Sequence, residues 1–474
     1  MTAEAPPTYQ HIGLIVRLCL LGFLINCKPS EPFLTAYLLD KNFTEAELAV
    51  DVWPWSTFGA FVMLLPFGLL AESIGSRRVI FIGLLCREIT RVLLIFATSL
   101  PAMALMQCTY AAGVAADAIY FAYVYTVAPP TSYAMLTSLV LAAYHTGNVF
   151  GALVGQVLVW SVPGWSADET PLFLISWVSI SLGLVAFAWL PPPNRALPPS
   201  LASLLIGSKP RQALAELSQL WKPLESRRWL LWFGLAGCGD AVVLNYFQLQ
   251  LAQTSAAGVP YGALEAAIEL ALVLGALGAF AAAPLVRRRP ATFLSMTSLV
   301  RAAALGGAAV GASAGVASVP FALNIVASAV YALQRAAGSS ALAQAVVGSA
   351  DRLPVLFATN TLVAYAGAAA LGWAGAAAGW EAANSYYYCA AVLMAVLAVC
   401  APLVDAFSSA DEERRPFVEH SSSACCHVRH ASSSTAAADV LEPASAFSAS
   451  AQVLHSDARD IGVHLDEHRL ERVP

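Results

Sequence analysis

Charge is scarce in this sequence. Only 12% of its 474 residues are Asp, Glu, Lys or Arg and 58% are hydrophobic, whereas a soluble domain carries about 25% charged and about 45–50% apolar residues. A soluble globular chain is excluded, leaving a polytopic membrane protein whose solvent is the lipid bilayer. The last 70 positions, Asp405 to Pro474, hold 12 acidic against 6 basic residues. The formal net charge of −5 therefore belongs to this tail, and a nucleic-acid partner has no electrostatic support. A disulfide framework is missing too, because the nine cysteines fall singly along apolar stretches apart from Cys425-Cys426. Also lacking are a nucleotide-binding glycine loop, a metal-ligand pair on a helix and a nucleophile with a placed base. The chain is expected to be neither an enzyme nor an ATP-driven pump, and to need no cofactor or metal. Met1 to Gln10 has no basic residue and the apolar run beyond it continues into a span, so no cleavable signal is expected.

Long apolar runs are what the chain has. A membrane helix needs about 20 mainly apolar residues, since it rises about 1.5 Å per residue through a hydrocarbon core of about 30 Å. Twelve stretches qualify, at 11–38 (with a break), 52–74, 79–99, 102–127, 132–160, 171–190, 229–253, 262–286, 291–312, 317–345, 354–376 and 383–404. Residues 191–228 open on Pro191-Pro192-Pro193 and carry Arg195, Lys209, Arg211, Lys222, Arg227 and Arg228, too polar and proline-broken to span. The expected plan is an all-α membrane protein with twelve transmembrane helices. It divides into a six-helix bundle (1–190), a cytoplasmic linker (191–228), a second six-helix bundle (229–404) and a disordered cytoplasmic tail (405–474).

Basic loop residues stay cytoplasmic. With the linker inside, Arg77, Arg78, Arg287, Arg288, Arg289 and Arg352 also fall inside, against Lys41 alone outside, so both termini are expected in the cytoplasm. The sequon Asn42-Phe43-Thr44 lies in the first outer loop, where glycosylation can reach Asn42. In the tail, Cys425, Cys426, His427 and His430 match no standard zinc spacing, and S-acylation of the two cysteines is the rival reading.

After the second stretch comes Gly68-Leu69-Leu70-Ala71-Glu72-Ser73-Ile74-Gly75-Ser76-Arg77-Arg78. It resembles the loop motif of the major facilitator superfamily, and Arg287-Arg288-Arg289 in the corresponding loop of the second half keeps its basic part. The resemblance implies two parallel six-helix repeats, with Glu72, Arg77 and Arg78 forming a conformational latch. Gly147, Gly151 and Gly155 share one helix face and serve close packing, or a face that slides during a conformational cycle.

Charged groups within spans default to a functional reading. Lys28-Pro29-Ser30-Glu31-Pro32 breaks the first span and places Glu31 in the membrane, where interrupted helices build substrate sites. Asp117 sits in the middle of the fourth span with Tyr120 three residues on. Arg87, Glu88 and Arg91 on the third span read as an internal ion-pair cluster, Glu88 lying within reach of Arg91. Asp240, Asn245, Gln248, Gln250, Glu265, Glu269, Arg301 and Arg335 are the polar positions of the second half. Glu265 and His145 are candidates for coupling, His145 because imidazole titrates near neutral pH.

Lys28-Pro29-Ser30-Glu31-Pro32-Phe33-Leu34-Thr35-Ala36-Tyr37-Leu38, followed by Asp40-Lys41-Asn42-Phe43-Thr44, resembles the first-helix signature of the reduced folate carrier and thiamine transporter family. Further similarities in order and spacing are Ala122-Tyr123-Val124-Tyr125, Leu141-Ala142-Ala143-Tyr144, Val243-Leu244-Asn245-Tyr246, Tyr261-Gly262-Ala263-Leu264-Glu265-Ala266, and Phe357 with Asn360-Thr361. The resemblance implies a major facilitator fold and a vitamin site lined by Glu31, Asp117, Tyr120 and Asn245, with Trp53 supplying an aromatic face. Asp117 stands where thiamine transporters have Glu and folate carriers Arg. Thr137 stands where both subfamilies have Arg in the fifth span, and Ala368 where folate carriers have Lys in the eleventh, so two folate-favouring cations are missing. Arg335 resembles a folate-binding arginine and cuts the other way. Ser56 replaces a tryptophan of the thiamine transporters, with Trp55 beside it. The expectation is a monomeric plasma-membrane carrier of thiamine or a related cationic pyrimidine or pyridine vitamin, working by alternating access. Its rivals are a reduced folate or organic anion carrier and a non-transporting nutrient receptor.

Overall fold

The computed structural model describes residues 7–44, 47–52, 54–164, 169–191, 224–254, 260–345, 353–378 and 383–414. Trp53, most of the linker, Arg352 and the cysteine–histidine cluster of the tail lie outside these residues. Met1–Arg415 forms one compact unit and Pro416–Pro474 a second, the latter wholly outside the described residues.

Among the described residues every regular element is helical, as lipid requires of a chain whose backbone groups must be satisfied within their own segment. In the first half α1 (Pro7–Asn26) leads through a 3₁₀ turn (Glu31–Phe33) into α2 (Leu34–Asp40). Then come α3 (Pro54–Ile74), α4 (Ser76–Phe96), α5 (Leu100–Val127), α6 (Tyr133–Ser161) and α7 (Thr170–Phe187). The second half has α8 (Leu224–Thr254), α9 (Tyr261–Arg288), α10 (Pro290–Ser313), α11 (Ser318–Ala345), α12 (Leu353–Ala377) and α13 (Ala383–Arg414). The last of these carries helix through Arg414, into the segment expected to be disordered from 405 onward. The helix formers Glu412 and Glu413 favour that extension.

Seven of these segments are long and apolar enough to cross a membrane: Ile12–Asp40, α5, α7, α9, α10, α12 and α13. The chain is a multi-pass membrane protein. α4 falls outside that set, and Arg87, Glu88 and Arg91 in its middle lower its hydropathy while turning inward onto other helices. Large apolar side chains face outward, among them Phe58 (61% exposed), Val178 (60%) and, at helix ends, Trp160 (68%) and Trp189 (60%). That is the arrangement of a lipid-facing surface with aromatic anchors at its edges.

The break in the first span is stabilised from outside. Pro29 and Pro32 cannot donate to a helix, and the freed Ser30 N–H donates to Ser176 Oγ on α7 at 3.0 Å. α6 seats the broken segment through its glycine face. A methyl added at Gly147 would stand 2.3 Å from the Phe23 carbonyl oxygen, at Gly151 2.6 Å from the Lys28 nitrogen, and at Gly155 2.3 Å from the Pro29 carbonyl oxygen. Backbone occupies the space a side chain would need, so this face packs the broken segment of the first span. In the loop motif, Gly75 turns α3 into α4 at φ 94°, a left-handed value suited to glycine. Gly68 instead admits α12, since a methyl there would lie 2.8 Å from Ala358 Cβ.

Two contacts between the halves matter for the site. α6 packs on α9 at one end, where the Gly262 N–H donates to Gln156 Oε1 at 2.9 Å. α3 and α5 pack on α12 at the other, where the Tyr125 and Phe357 rings lie 5.5 Å apart.

Candidate functional site

Between these two contacts lies a cavity of about 430 Å³. Its wall takes Lys28 and Glu31 from the broken first span, Tyr110 and Asp117 from α5, and Tyr144 and His145 from α6. The second half contributes Asp240 from α8, Glu265 and Glu269 from α9, Tyr331 and Arg335 from α11, and Asn360 and Tyr365 from α12.

Most of these charges are already paired. Asp117 Oδ2 accepts from Arg87 at 2.5 Å and from the Tyr144 hydroxyl at 3.0 Å. Neither bond uses Oδ1, which has no partner among the described residues. Glu31 is engaged on both oxygens, Oε1 lying 3.3 Å from Lys28 Nζ and Oε2 3.0 Å from Arg91. In the second half the fully buried Arg301 on α10 lies 3.5 Å from Asp240 Oδ1, donates to the Ala236 carbonyl at 2.7 Å and sits over the Tyr331 ring. Each half thus holds a cavity aspartate with an arginine from the third long helix of that half. His145 Nδ1 lies 2.6 Å from Glu269 Oε2.

Glu265 and Arg335 remain without a hydrogen bond or ion pair among the described residues. The Arg335 guanidinium instead lies over the Phe121 ring, 4.8 Å from its centroid, a cation–π contact. Asn360 is 1% exposed and, among the described residues, neither its amide nitrogen nor its oxygen has a hydrogen-bond partner. A buried amide left this way costs about 1–3 kcal/mol.

The structure brings Glu31, Asp117, Arg335, Glu265 and His145 to one cavity. Tyr120 is elsewhere: it is 1% exposed, and its hydroxyl donates to the Leu18 carbonyl on α1 at 2.7 Å. The cavity stripe of α5 runs through Tyr110, Val114, Asp117 and Ala118, and a residue three positions past Asp117 is rotated off it toward α1. Tyr144 is the tyrosine that bonds Asp117. Asn245 is described only as a backbone position of α8, and Trp53 lies outside the described residues. The ion-pair cluster expected on α4 does not form. Glu88 accepts from Trp177 Nε1 at 2.6 Å and from Ser181 at 3.2 Å, while Arg87 and Arg91 reach across to other helices. A helix interior pairs its charges with neighbouring helices when those approach more closely than its own next turn.

At the loop motif, Arg77 donates to the Ala188 carbonyl at 3.2 Å and lies over the Phe187 ring. Asn42 is exposed, at φ 67°, in the turn after α2. Arg87, Tyr144, Asp240, Glu269 and Asn360 are the site residues that sequence reasoning missed. Arg87, Asp240 and Glu269 are visible in the sequence as charges in spans, and Tyr144 and Asn360 only as parts of similarities.

Known proteins agree with this architecture. The sequence model of the reduced folate carrier family matches residues 9–197. The chain is 36% identical to mouse thiamine transporter 1 over 185 residues, 38% of this chain and 36% of that protein. It is 30% identical to the rat reduced folate transporter over 207 residues, 44% of this chain and 39% of that one. The chain thus matches little more than a third of the length of either relative. Among solved structures it is similar to the E. coli fucose:proton symporter FucP, a major facilitator superfamily transporter. That likeness has a TM-score of 0.59 at 17% identity, over 82% of this chain and 98% of that one, and speaks for the fold alone. Residues 9–197 thus resemble the reduced folate carrier family, and the described helices have the fold of a major facilitator transporter.

Proposed function

We propose that this protein carries thiamine, or a related cationic pyrimidine or pyridine vitamin, across the plasma membrane by alternating access. In this reading it is a monomer of twelve spans, with bundles at 1–190 and 229–404, a cytoplasmic linker at 191–228 and a cytoplasmic tail at 405–474. Asn42 is glycosylated on the outer face, and Glu72, Arg77 and Arg78 line the inner latch.

The observation that carries the reading is the open Oδ1 of Asp117. Arg87 and Tyr144 fix the carboxylate through its other oxygen, so one acceptor is aimed and unspent. An aminopyrimidine presents a donor edge that such an oxygen takes up in a charge-assisted hydrogen bond. Five carboxylates on the cavity wall against Lys28 and Arg335 suit a cation, and Tyr110, Tyr144 and Tyr365 supply ring faces for a heterocycle. Asn360 adds an amide with donor and acceptor both unmet. Trp53 and Asn245 complete the proposed site. The relative named a thiamine transporter points the same way.

A second reading, a reduced folate or organic anion carrier, is favoured by Arg335, a cavity guanidinium with no carboxylate partner among the described residues, and by the relative named a reduced folate transporter. Labelled thiamine uptake into cells expressing the chain, with excess folate and excess thiamine as competitors, separates the two. Saturable uptake blocked by thiamine and untouched by folate is expected. Uptake of labelled folate in place of thiamine would reverse the assignment, and binding without accumulation would make the protein a receptor.

A further inference from the structure

His145 and Glu269 belong to opposite halves of the chain, on α6 and α9, and their side chains touch at 2.6 Å while 7% and 10% exposed. At that distance a proton lies between them, supplied in the neutral imidazole by Nδ1–H. The other ring nitrogen, Nε2, is buried and has no hydrogen-bond partner among the described residues. The neutral histidine therefore presents a bare lone pair in a closed space, and the pair as a whole carries one negative charge. One added proton, on Nε2, turns it into an imidazolium–carboxylate pair without net charge. Charge-assisted hydrogen bonds of that kind are roughly twice as strong as neutral ones, and cancelling a lone charge away from water removes a large desolvation penalty.

The pair sits where the α6–α9 contact meets the cavity, two to three helical turns from the Gln156–Gly262 bond that holds the end of the same seam. The charged and titratable groups sharing its cavity are Lys28 and Glu31 from the broken first span, Tyr110 and Asp117 from α5, Asp240 from α8, Glu265 from α9, Tyr331 and Arg335 from α11 and Tyr365 from α12, with the Tyr144 ring of α6 5.4 Å from that of His145. Glu31 and Asp240 are held by arginines, which leaves Glu265 and Arg335 as uncommitted neighbours of opposite sign. Any motion that opens the cavity along this seam must break the 2.6 Å contact.

We propose that His145 and Glu269 form a proton-binding site in which one bound proton locks α6 onto α9. The proton is thereby coupled to closure of one end of the cavity, a deepening that rests on the alternating-access reading. Lower pH favours the closed seam and higher pH its opening.

Hydrogen–deuterium exchange on the purified full-length protein, with no substrate present, tests this directly. Peptides covering 150–161 and 260–268 should open about fivefold less often at pH 6 than at pH 8 after correction for intrinsic exchange. The dependence should vanish in His145→Gln, which keeps a hydrogen-bonding side chain, and in Glu269→Gln, and persist in Glu265→Gln. A flat profile in the wild type, or an unchanged one in His145→Gln, overturns the proposal. Loss of the dependence in Glu265→Gln would assign the proton to Glu265 instead and overturn it as well. Thiamine uptake into proteoliposomes under imposed pH gradients is read in parallel. Absence of any thiamine uptake refutes the substrate, leaving the exchange result standing, whereas uptake indifferent to the gradient refutes the coupling alone.

Discussion

Asp117 is held by one oxygen and open at the other, and the two halves of that carboxylate can be tested apart. Asp117→Asn removes the open acceptor but also strands Arg87, and breaking a buried pair from one side costs about 3–5 kcal/mol. The single variant should lose thiamine uptake and much stability together. Arg87→Gln combined with Asp117→Asn removes both charges, so its thermal midpoint should recover toward the wild type while uptake stays abolished. Recovery of uptake in the double variant would reduce Asp117 to a counterion. Asn360 predicts the opposite pairing of effects. Its amide is unsatisfied in the empty protein, so Asn360→Ala should raise stability by about 1 kcal/mol. It should weaken thiamine binding about tenfold, a loss of about 1.4 kcal/mol. Calorimetry of binding beside thermal unfolding decides it, and a variant that loses stability would show the amide to be structural.

Among the elements, the broken first span and the α6 glycine face depend on one another. Gly151→Ala drives a methyl into the Lys28 backbone and should cost about 2 kcal/mol through overpacking, with transport lost. Gly306→Ala on α10, where the added methyl would meet only Ala391 Cβ at 3.6 Å, is the harmless control. Unfolding midpoints of the two variants give the comparison. Much at this scale was legible in the sequence, because long apolar runs and a Pro-x-x-Pro interruption act through local chemistry. The helices begin and end within a few residues of the expected stretches, apart from an early start to α8 and a late end to α13. The partners were not legible. Arg87 finds Asp117 thirty positions away and Arg91 finds Glu31 sixty away, and no periodicity within α4 announces either. Tyr120 misled for the same reason: spacing fixes which residues share a face, and packing fixes which face meets the cavity.

At the scale of the molecule, α6 packs on α9 at one end of the cavity and α3 with α5 on α12 at the other. Gln156→Ala loosens the first and Phe357→Ala the second. With Ala118→Cys as a reporter on the cavity wall, a membrane-impermeant thiol reagent should label faster from one face of the membrane in the first variant and from the opposite face in the second. Equal effects from the same face would show that the two contacts do not guard separate entrances.

If the chain carries a cation as proposed, the arginines behind the wall also set its response to voltage. The cavity carboxylates Glu31, Asp117, Asp240, Glu265 and Glu269 are matched among the described residues by Lys28, Arg335 and the supporting Arg87, Arg91 and Arg301. With a neutral His145 the empty binding region carries no net charge, and its reorientation moves none through the membrane field. A monovalent cation bound there adds one moved charge, as does a proton on the His145–Glu269 pair, and about 2.3 kcal/mol accompanies each charge per 100 mV. The resting potential of a cell would then draw a cationic vitamin inward on the loaded step while leaving the return of the empty, unprotonated state indifferent to it.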